Sequence, residues 1–298
     1  GFGYASATPP ALKWFPAKKT GMVAGIVVSG FGLAAAIWAP VTSALLDGGV
    51  SMQAIMLVYG ILFAVILTVL SMFLRNPPLG YDANTVFGIE AAEAKRAAAL
   101  QQDVPPGEVI KRSRFWLLWT MYAIGAGAGL MVIGDISGMA KTALDNLAWI
   151  AVVILAVGNA SGRIGAGMLS DKLGRRQTLL IMLLFQAVLM FLAMPIIGTG
   201  RAALLLVLAT LVGFNYGTNL SLFPAFAKDR WGLKHFGVNY GMLFTAWGVG
   251  GLILMELYQR MKAAGLQDTA FIIVGVLLLI AAAMTFTVRK EPQGISGG

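Results

Sequence analysis

Cysteine is absent from the 298 residues and histidine occurs once, so the chain can build neither a disulfide framework nor a thiolate metal site. The same absence leaves the redox compartment undetermined. Charge is scarce as well: Asp, Glu, Lys and Arg together make up 12% of the sequence. No paired carboxylates, metal-ligand cluster or nucleophile beside a base stands out, which removes the usual foundations of an enzyme active site. The single histidine, His235, falls in a basic loop and reads as solvated. What fills the space is apolar: 58% of the residues are hydrophobic and the mean hydropathy is +0.79, the composition of an integral membrane protein.

The apolar residues come in long runs. Eight stretches have the length and composition to cross a bilayer: residues 21–46, 52–74, 115–140, 147–169, 178–198, 202–226, 237–259 and 269–288. At about 1.5 Å of rise per residue, each covers a hydrocarbon core about 30 Å thick. A membrane strand would be shorter and would alternate in polarity, so the expected class is all-α. A ninth run, residues 1–12, is too short to span.

Twenty-two Lys and Arg against 13 acids give a net charge of +9, and that balance alone would also suit a nucleic-acid binder. The placement of the charges decides against it. Counted over alternate loops, one side carries Lys13, Lys18, Lys19, Arg75, Lys95, Arg96, Lys111, Arg112, Arg114, Lys172, Arg175, Arg176, Lys228, Arg230, Lys234, Arg289 and Lys290. The other carries Lys141, Arg201, Arg260 and Lys262. By the positive-inside rule the first set is cytoplasmic, which predicts a multi-pass protein of the cell inner (plasma) membrane with a cytoplasmic C-terminus.

Sliding the chain against itself by 216 positions brings Phe15, Lys18, Gly21, Gly25 and Gly32 onto Trp231, Lys234, Gly237, Gly241 and Gly248. Each copy reads as a helix end, a short basic loop and a glycine-rich helix. Two related halves about an axis along the membrane normal are a transporter layout, with the site between them near the midplane. The second copy follows three full spans and the start of a fourth; the first follows almost nothing. The expectation is an N-terminal truncation that lacks about three of twelve spans. The predicted units are residues 1–74, the remainder of an N-terminal bundle; 75–114, a cytoplasmic linker; 115–288, a six-helix C-terminal bundle; and 289–298, a cytoplasmic tail. Within the linker, Asn76-Pro77-Pro78 stops the preceding helix, residues 90–102 read as a short surface helix, and Pro105-Pro106-Gly107 breaks it. The linker is expected to serve as a solvated tether, with regulation as the sharper alternative.

Arg163 is the most informative residue, because it lies inside the otherwise apolar stretch 148–169. A guanidinium does not deprotonate there, so it must face protein, water or an anion. A planar fork of donors matches a carboxylate bidentately, and low dielectric strengthens the contact. A structural ion pair, for instance with Asp135, is the alternative. Arg163 lies eight residues before Asp171, which puts it about 12 Å from the basic loop, on the cytoplasmic side of centre unless the helix extends beyond the membrane. Asn159 is one helical turn before Arg163 on the same face. Asn215 and Asn219 are also one turn apart. Asp135 should approach the far end of its span, where a carboxyl could couple transport to protons or simply be hydrated. Glycines such as Gly125, Gly127, Gly129, Gly158, Gly162, Gly165, Gly248, Gly250 and Gly251 recur at spacings of two to four and should let helices approach closely.

The run Gly167-Met168-Leu169-Ser170-Asp171-Lys172-Leu173-Gly174-Arg175-Arg176 reads as a basic loop with a tight turn, in which Asp171 caps the next helix or pairs with an Arg. It resembles the signature loop of the major facilitator superfamily. That resemblance implies a latch between two helix bundles, formed by Gly167, Asp171, Lys172, Gly174, Arg175 and Arg176, and a fold of which this chain holds helices four to twelve of twelve: eight full spans plus part of a ninth. Trp116-Leu117-Leu118-Trp119, residues 129–134, Leu222-Phe223-Pro224 and residues 237–241 are similar to the oxalate:formate antiporter family, a relative of the monocarboxylate transporters. The likeness implies that Arg163, in helix eight, anchors a substrate carboxylate. It also implies that aromatics of helices ten and eleven, here Tyr216, Phe244 and Trp247, wall the cavity beside Asn159 and Asn219. Where the oxalate carrier has a second cation in helix eleven, this chain has Trp247, so a monocarboxylate such as formate, lactate, pyruvate or glyoxylate is expected in preference to oxalate.

The function expected from the sequence is therefore secondary active transport of a small organic anion by alternating access, as proton symport or anion exchange. A transporter-like sensor that binds a carboxylate without flux is the alternative. The expected partners are the anion, protons and the lipid bilayer; nucleic acid, metal and cofactors are not expected.

Overall fold

The computed structural model describes residues 2–16, 19–89, 103–144 and 147–288. The described residues form helices throughout: α1 (Phe2–Lys13), α2 (Thr20–Asp47), α3 (Met52–Ser71), short α4 (Ala83–Val86) and α5 (Pro106–Val109), then α6 (Ser113–Ile133), α7 (Ile136–Leu144), α8 (Trp149–Leu173), α9 (Arg175–Gly198), α10 (Ala202–Trp231), α11 (Phe236–Ala263) and α12 (Gln267–Met284). Among the described residues, eight helices are long and apolar enough to cross a membrane, and they coincide with the eight apolar runs. One run differs. The span over 115–140 is broken at Gly134 and Asp135, where the backbone turns between α6 and α7.

The 216-residue repeat extends into the structure. It carries α2, Thr20–Asp47, onto α11, Phe236–Ala263, residue for residue. The equivalents of α3 run through α12 and the 3-10 turn Thr285–Thr287 that follows it. The long helices pack as neighbouring pairs, α2 along α8, α8 along α10, α6 along α11 and α9 along α12. Aromatic and aliphatic side chains such as Tyr122, Phe223, Tyr240, Phe271 and Leu278 form the core of the second half. α3 buries one residue, Ile55, and turns Leu57, Val65 and Leu67 outward, a surface that hydrocarbon solvates and water would not.

Among the described side chains of α2, the buried ones lie between Gly21 and Gly32; none falls in 33–47. The seam between α2 and α8 is therefore tight toward the basic loops and open toward the opposite face.

The two ends of the linker are docked, which corrects the expectation of a solvated tether. Near its start, Trp14 Nε1 donates to the Arg75 carbonyl at 3.1 Å and Tyr81 Oη donates to the Trp14 carbonyl at 2.8 Å. Near its end, Val104 is buried, its N–H donates to the Trp231 carbonyl at 3.1 Å, and its carbonyl accepts from Asn239 Nδ2 at 2.9 Å. The two anchoring loops, α1–α2 and α10–α11, are repeat equivalents, so each end of the linker grips the same feature of a different half. Each docking replaces water with protein partners for a backbone polar group, which a freely solvated chain would not need. The surface helix expected over 90–102 lies outside the described residues.

Candidate functional site

Arg163 sits near the middle of α8, fourteen residues after Trp149 and ten before Leu173. That is about 21 Å and 15 Å along the axis. The helix continues into the Gly167–Arg176 motif as far as Leu173, so the guanidinium is near the centre of its helix. It is 3% exposed. Nε donates to Asn159 Oδ1 at 3.0 Å, the i,i+4 pairing expected on one helix face. Nη1 donates across the seam to the Val28 carbonyl of α2. The Asn159 and Val28 acceptors are both neutral oxygens, which orient the fork. Asp135, the alternative ion-pair partner, is engaged elsewhere. Its Oδ2 accepts from Tyr258 Oη at 2.8 Å and from Lys262 Nζ, which fastens the α6–α7 break to α11 at the face opposite the basic loops.

The approach of α2 to α8 depends on glycine. A Cβ on Gly25 would lie 2.3 Å from the Arg163 carbonyl oxygen, and one on Gly167 would lie 2.2 Å from the Gly21 carbonyl oxygen. Either would force the helices apart. Gly248, by contrast, has open space where a Cβ would go, so the small-residue reading does not extend to it.

Three of the aromatics expected at the site meet one another. Trp247 Nε1 donates to Tyr216 Oη at 2.8 Å. Phe244 and Trp247 stack with ring centroids 5.3 Å apart and planes within 7°, a one-turn pair on α11. Tyr216 is buried and lies against Gly129. Asn219 goes elsewhere. Its Oδ1 lies against Gly125 of α6, and its Nδ2 bonds to the Asn215 carbonyl at 3.4 Å. It belongs to a buried amide chain in which Asn215 Nδ2 donates to Gln186 Oε1 at 2.8 Å, and Gln186 Nε2 donates to the Gly125 carbonyl at 3.0 Å. Gln186 escaped the sequence reading, although a lone amide in an apolar span is a signal.

The motif expected as a loop is largely helix. Residues 167–173 are the last turns of α8, and the turn itself is Gly174, whose φ of +89° favours glycine. Asp171 caps neither α8 nor the next helix. Its two oxygens accept from the backbone N–H groups of Gly21 at 3.0 Å and Met22 at 2.9 Å, capping the first turn of α2 from the other half. A carboxylate there satisfies two orphan donors and meets the positive end of the helix dipole. Arg175 ties the corner together. Its Nη1 contacts Asp171 Oδ1 at 2.5 Å, and its Nε contacts Asp229 Oδ2, at the end of α10, at 2.9 Å. Arg176 Nε donates to the Thr285 carbonyl at 2.9 Å. Lys172 is exposed. Among the described residues no group of three or more His, Cys, Asp or Glu is placed to hold a metal.

Comparison with known proteins gives this geometry a context. Residues 1–255 match the Major Facilitator Superfamily. The chain is 27% identical over 294 residues to the oxalate:formate antiporter of Oxalobacter formigenes, an alignment covering 97% of this chain and 67% of that protein. It is 25% identical over 263 residues to the uncharacterized MFS-type transporter YhjX of Escherichia coli (strain K12), covering 85% of this chain and 60% of the relative. With the apicoplast pyruvate carrier 1 of Toxoplasma gondii it shares 24% identity over 344 residues, covering 96% of this chain and 61% of that protein. Among solved structures, the Escherichia coli fucose:proton symporter superposes with a TM-score of 0.63 at 15% identity, covering 97% of this chain and 73% of that one.

Proposed function

Because the chain belongs to the major facilitator superfamily, a family of membrane transporters and not of enzymes, we propose that it moves a small organic anion by alternating access. The observation that carries this reading is the buried guanidinium of Arg163, central in α8 and bonded across the seam to the Val28 carbonyl of α2. A carboxylate arriving at the seam competes with that carbonyl, and it is the better acceptor, because a charged bidentate partner roughly doubles the strength of the contact. Nη1 then leaves α2 for the anion. One bond between the halves is exchanged for one to substrate, so binding frees the halves to rock. Asn159 keeps the fork oriented, and Tyr216, Phe244 and Trp247 wall the site.

The tight basic end and the open far end of the α2–α8 seam support an outward-facing state, with the basic loops cytoplasmic. Asp171 holds that state by capping α2. A negative-inside membrane opposes anion entry by about 2.3 kcal/mol per charge per 100 mV, so a compensating charge must move. Exchange meets this need. It is favoured over proton symport because the coupling candidate Asp135 is occupied with Lys262 and Tyr258, and because the Oxalobacter relative is itself an antiporter. Trp247 supplies a neutral donor where a second cation would suit a dicarboxylate, which supports a monocarboxylate of the formate or pyruvate kind. Reconstituted vesicles loaded with unlabelled formate test this: labelled formate should enter by exchange. Binding without flux would instead make the chain a sensor.

A further inference from the structure

We propose a second anion site, remote from Arg163, in a cavity at the face opposite the basic loops. The cavity, of about 340 Å3, lies among the ends of α7, α9, α10, α11 and α12, and its walls include Met139, Ile196, Arg201, Leu205, Lys262 and Gln267. Basic residues are few on this face: Lys141, Arg201, Arg260 and Lys262. Two of the four line one hollow, while Arg260 is turned to Glu256 at 2.6 Å.

The two cations are held differently. Lys262 is fixed from one side by Asp135, which sets its position at the wall and balances one charge. The Arg201 guanidinium has no hydrogen-bond or ion-pair partner among the described residues, and Arg201 is exposed to the hollow's solvent. The hollow therefore carries an uncompensated fork of donors. Two further features add to it. α10 begins immediately after Arg201 and α12 begins at Gln267, and neither has a side-chain cap, so two helix N-termini present backbone N–H groups at the rim. Among the described residues the nearby acids are Asp135, already engaged, and the exposed Asp268 in the first turn of α12. Planar donors, a second ammonium and the amide of Gln267 around a small hollow suit an anionic oxygen group, a carboxylate or a phosphate. Dissolved anions and the phosphate of a lipid headgroup share that chemistry. The site stands independently of whether Arg163 binds the transported anion.

Phenylglyoxal modification of arginines, read residue by residue by mass spectrometry, tests the site on the full chain in nanodiscs. In uncharged phosphatidylcholine, formate or inorganic phosphate at ten times its dissociation constant should slow Arg201 modification by about tenfold while leaving Arg260 unchanged. Protection that appears only when phosphatidylglycerol is present, with no added anion, assigns the site to a headgroup and equally supports it. Lys262→Gln should weaken the protection and Lys262→Arg should retain it; if Lys262→Gln misfolds, the anion and lipid arms on the unaltered chain still decide. Arg201 modified at the same rate under every condition, or slowed no more than Arg260, overturns the proposal.

Discussion

On the proposed reading, the guanidinium of Arg163 and the indole of Trp247 divide recognition of the anion between them. One supplies charge and the other only a neutral N–H, already donated to Tyr216 at 2.8 Å. Substrate charge should therefore follow the residue at 247. Trp247→Lys is expected to shift selectivity toward oxalate by about 10- to 100-fold, the worth of one charge-assisted hydrogen bond of about 1.5–3 kcal/mol, read as the ratio of oxalate to formate inhibition constants in an uptake assay. An unchanged ratio would detach that position from the substrate. Arg163 and Asn159 were legible in the sequence because a polar pair at i,i+4 in an apolar helix has one face to share. The surroundings of Asn219 were not legible, because helical spacing says that Asn215 and Asn219 lie together but not which neighbour they face; the neighbours are Gly125 and Gln186. Lys262 and Asp135, 127 positions apart, gave no local signal of their pairing.

Among the elements, the contact between α8 and α2 is the one most exposed to test. Asp171→Ala removes the cap on α2, worth about 1 kcal/mol, and should shift the equilibrium roughly fivefold toward opening at the basic face. The chain has no cysteine, so Val28→Cys, buried in the seam, would be a unique thiol whose rate of alkylation reports that opening. A rate unaffected by Asp171→Ala would mean that the cap does not hold the halves together. The helices themselves were readable from their apolar runs, and the repeat related α2 to α11, though the ends of α11 extend past the run 237–259 to Phe236 and Ala263. The cap was hidden, since Asp171 and Gly21 are 150 positions apart and the motif alone suggests only nearby partners. The linker was misjudged for a related reason: its polar composition suggests solvent, yet Val104 is buried and bonded at both its N–H and its carbonyl. Asn239→Leu should orphan that carbonyl at a cost of about 1–3 kcal/mol and speed hydrogen exchange over 104–109 by about fivefold or more; no change would mean that the dock contributes nothing.

For the whole molecule, the asymmetry of Lys and Arg between the two faces supports the proposed orientation with the basic loops cytoplasmic. Lys141 and Lys234 are both exposed and lie on opposite sides. Placed one at a time as Lys141→Cys and Lys234→Cys, a membrane-impermeant maleimide on intact cells should label the first and spare the second. The reverse pattern would invert the topology and, with it, the outward-facing reading of the seam. Eight spans, their order and the family were legible at this scale because bilayer thickness dictates length and hydropathy. The open far half of α2 was not, because it is a relation between two halves and belongs to no single stretch of sequence.

The central claim is that the Arg163 charge binds the transported anion at the seam between the halves. Formate counterflow into vesicles, measured for the unaltered chain and for Arg163→Gln and Arg163→Lys with their folding checked by thermal unfolding, tests it most directly. The account predicts that Gln reduces flux to background and that Lys, a point charge without the fork, recovers only a small part of it, with Tm little changed in either. Counterflow in Arg163→Gln equal to that of the unaltered chain would contradict it.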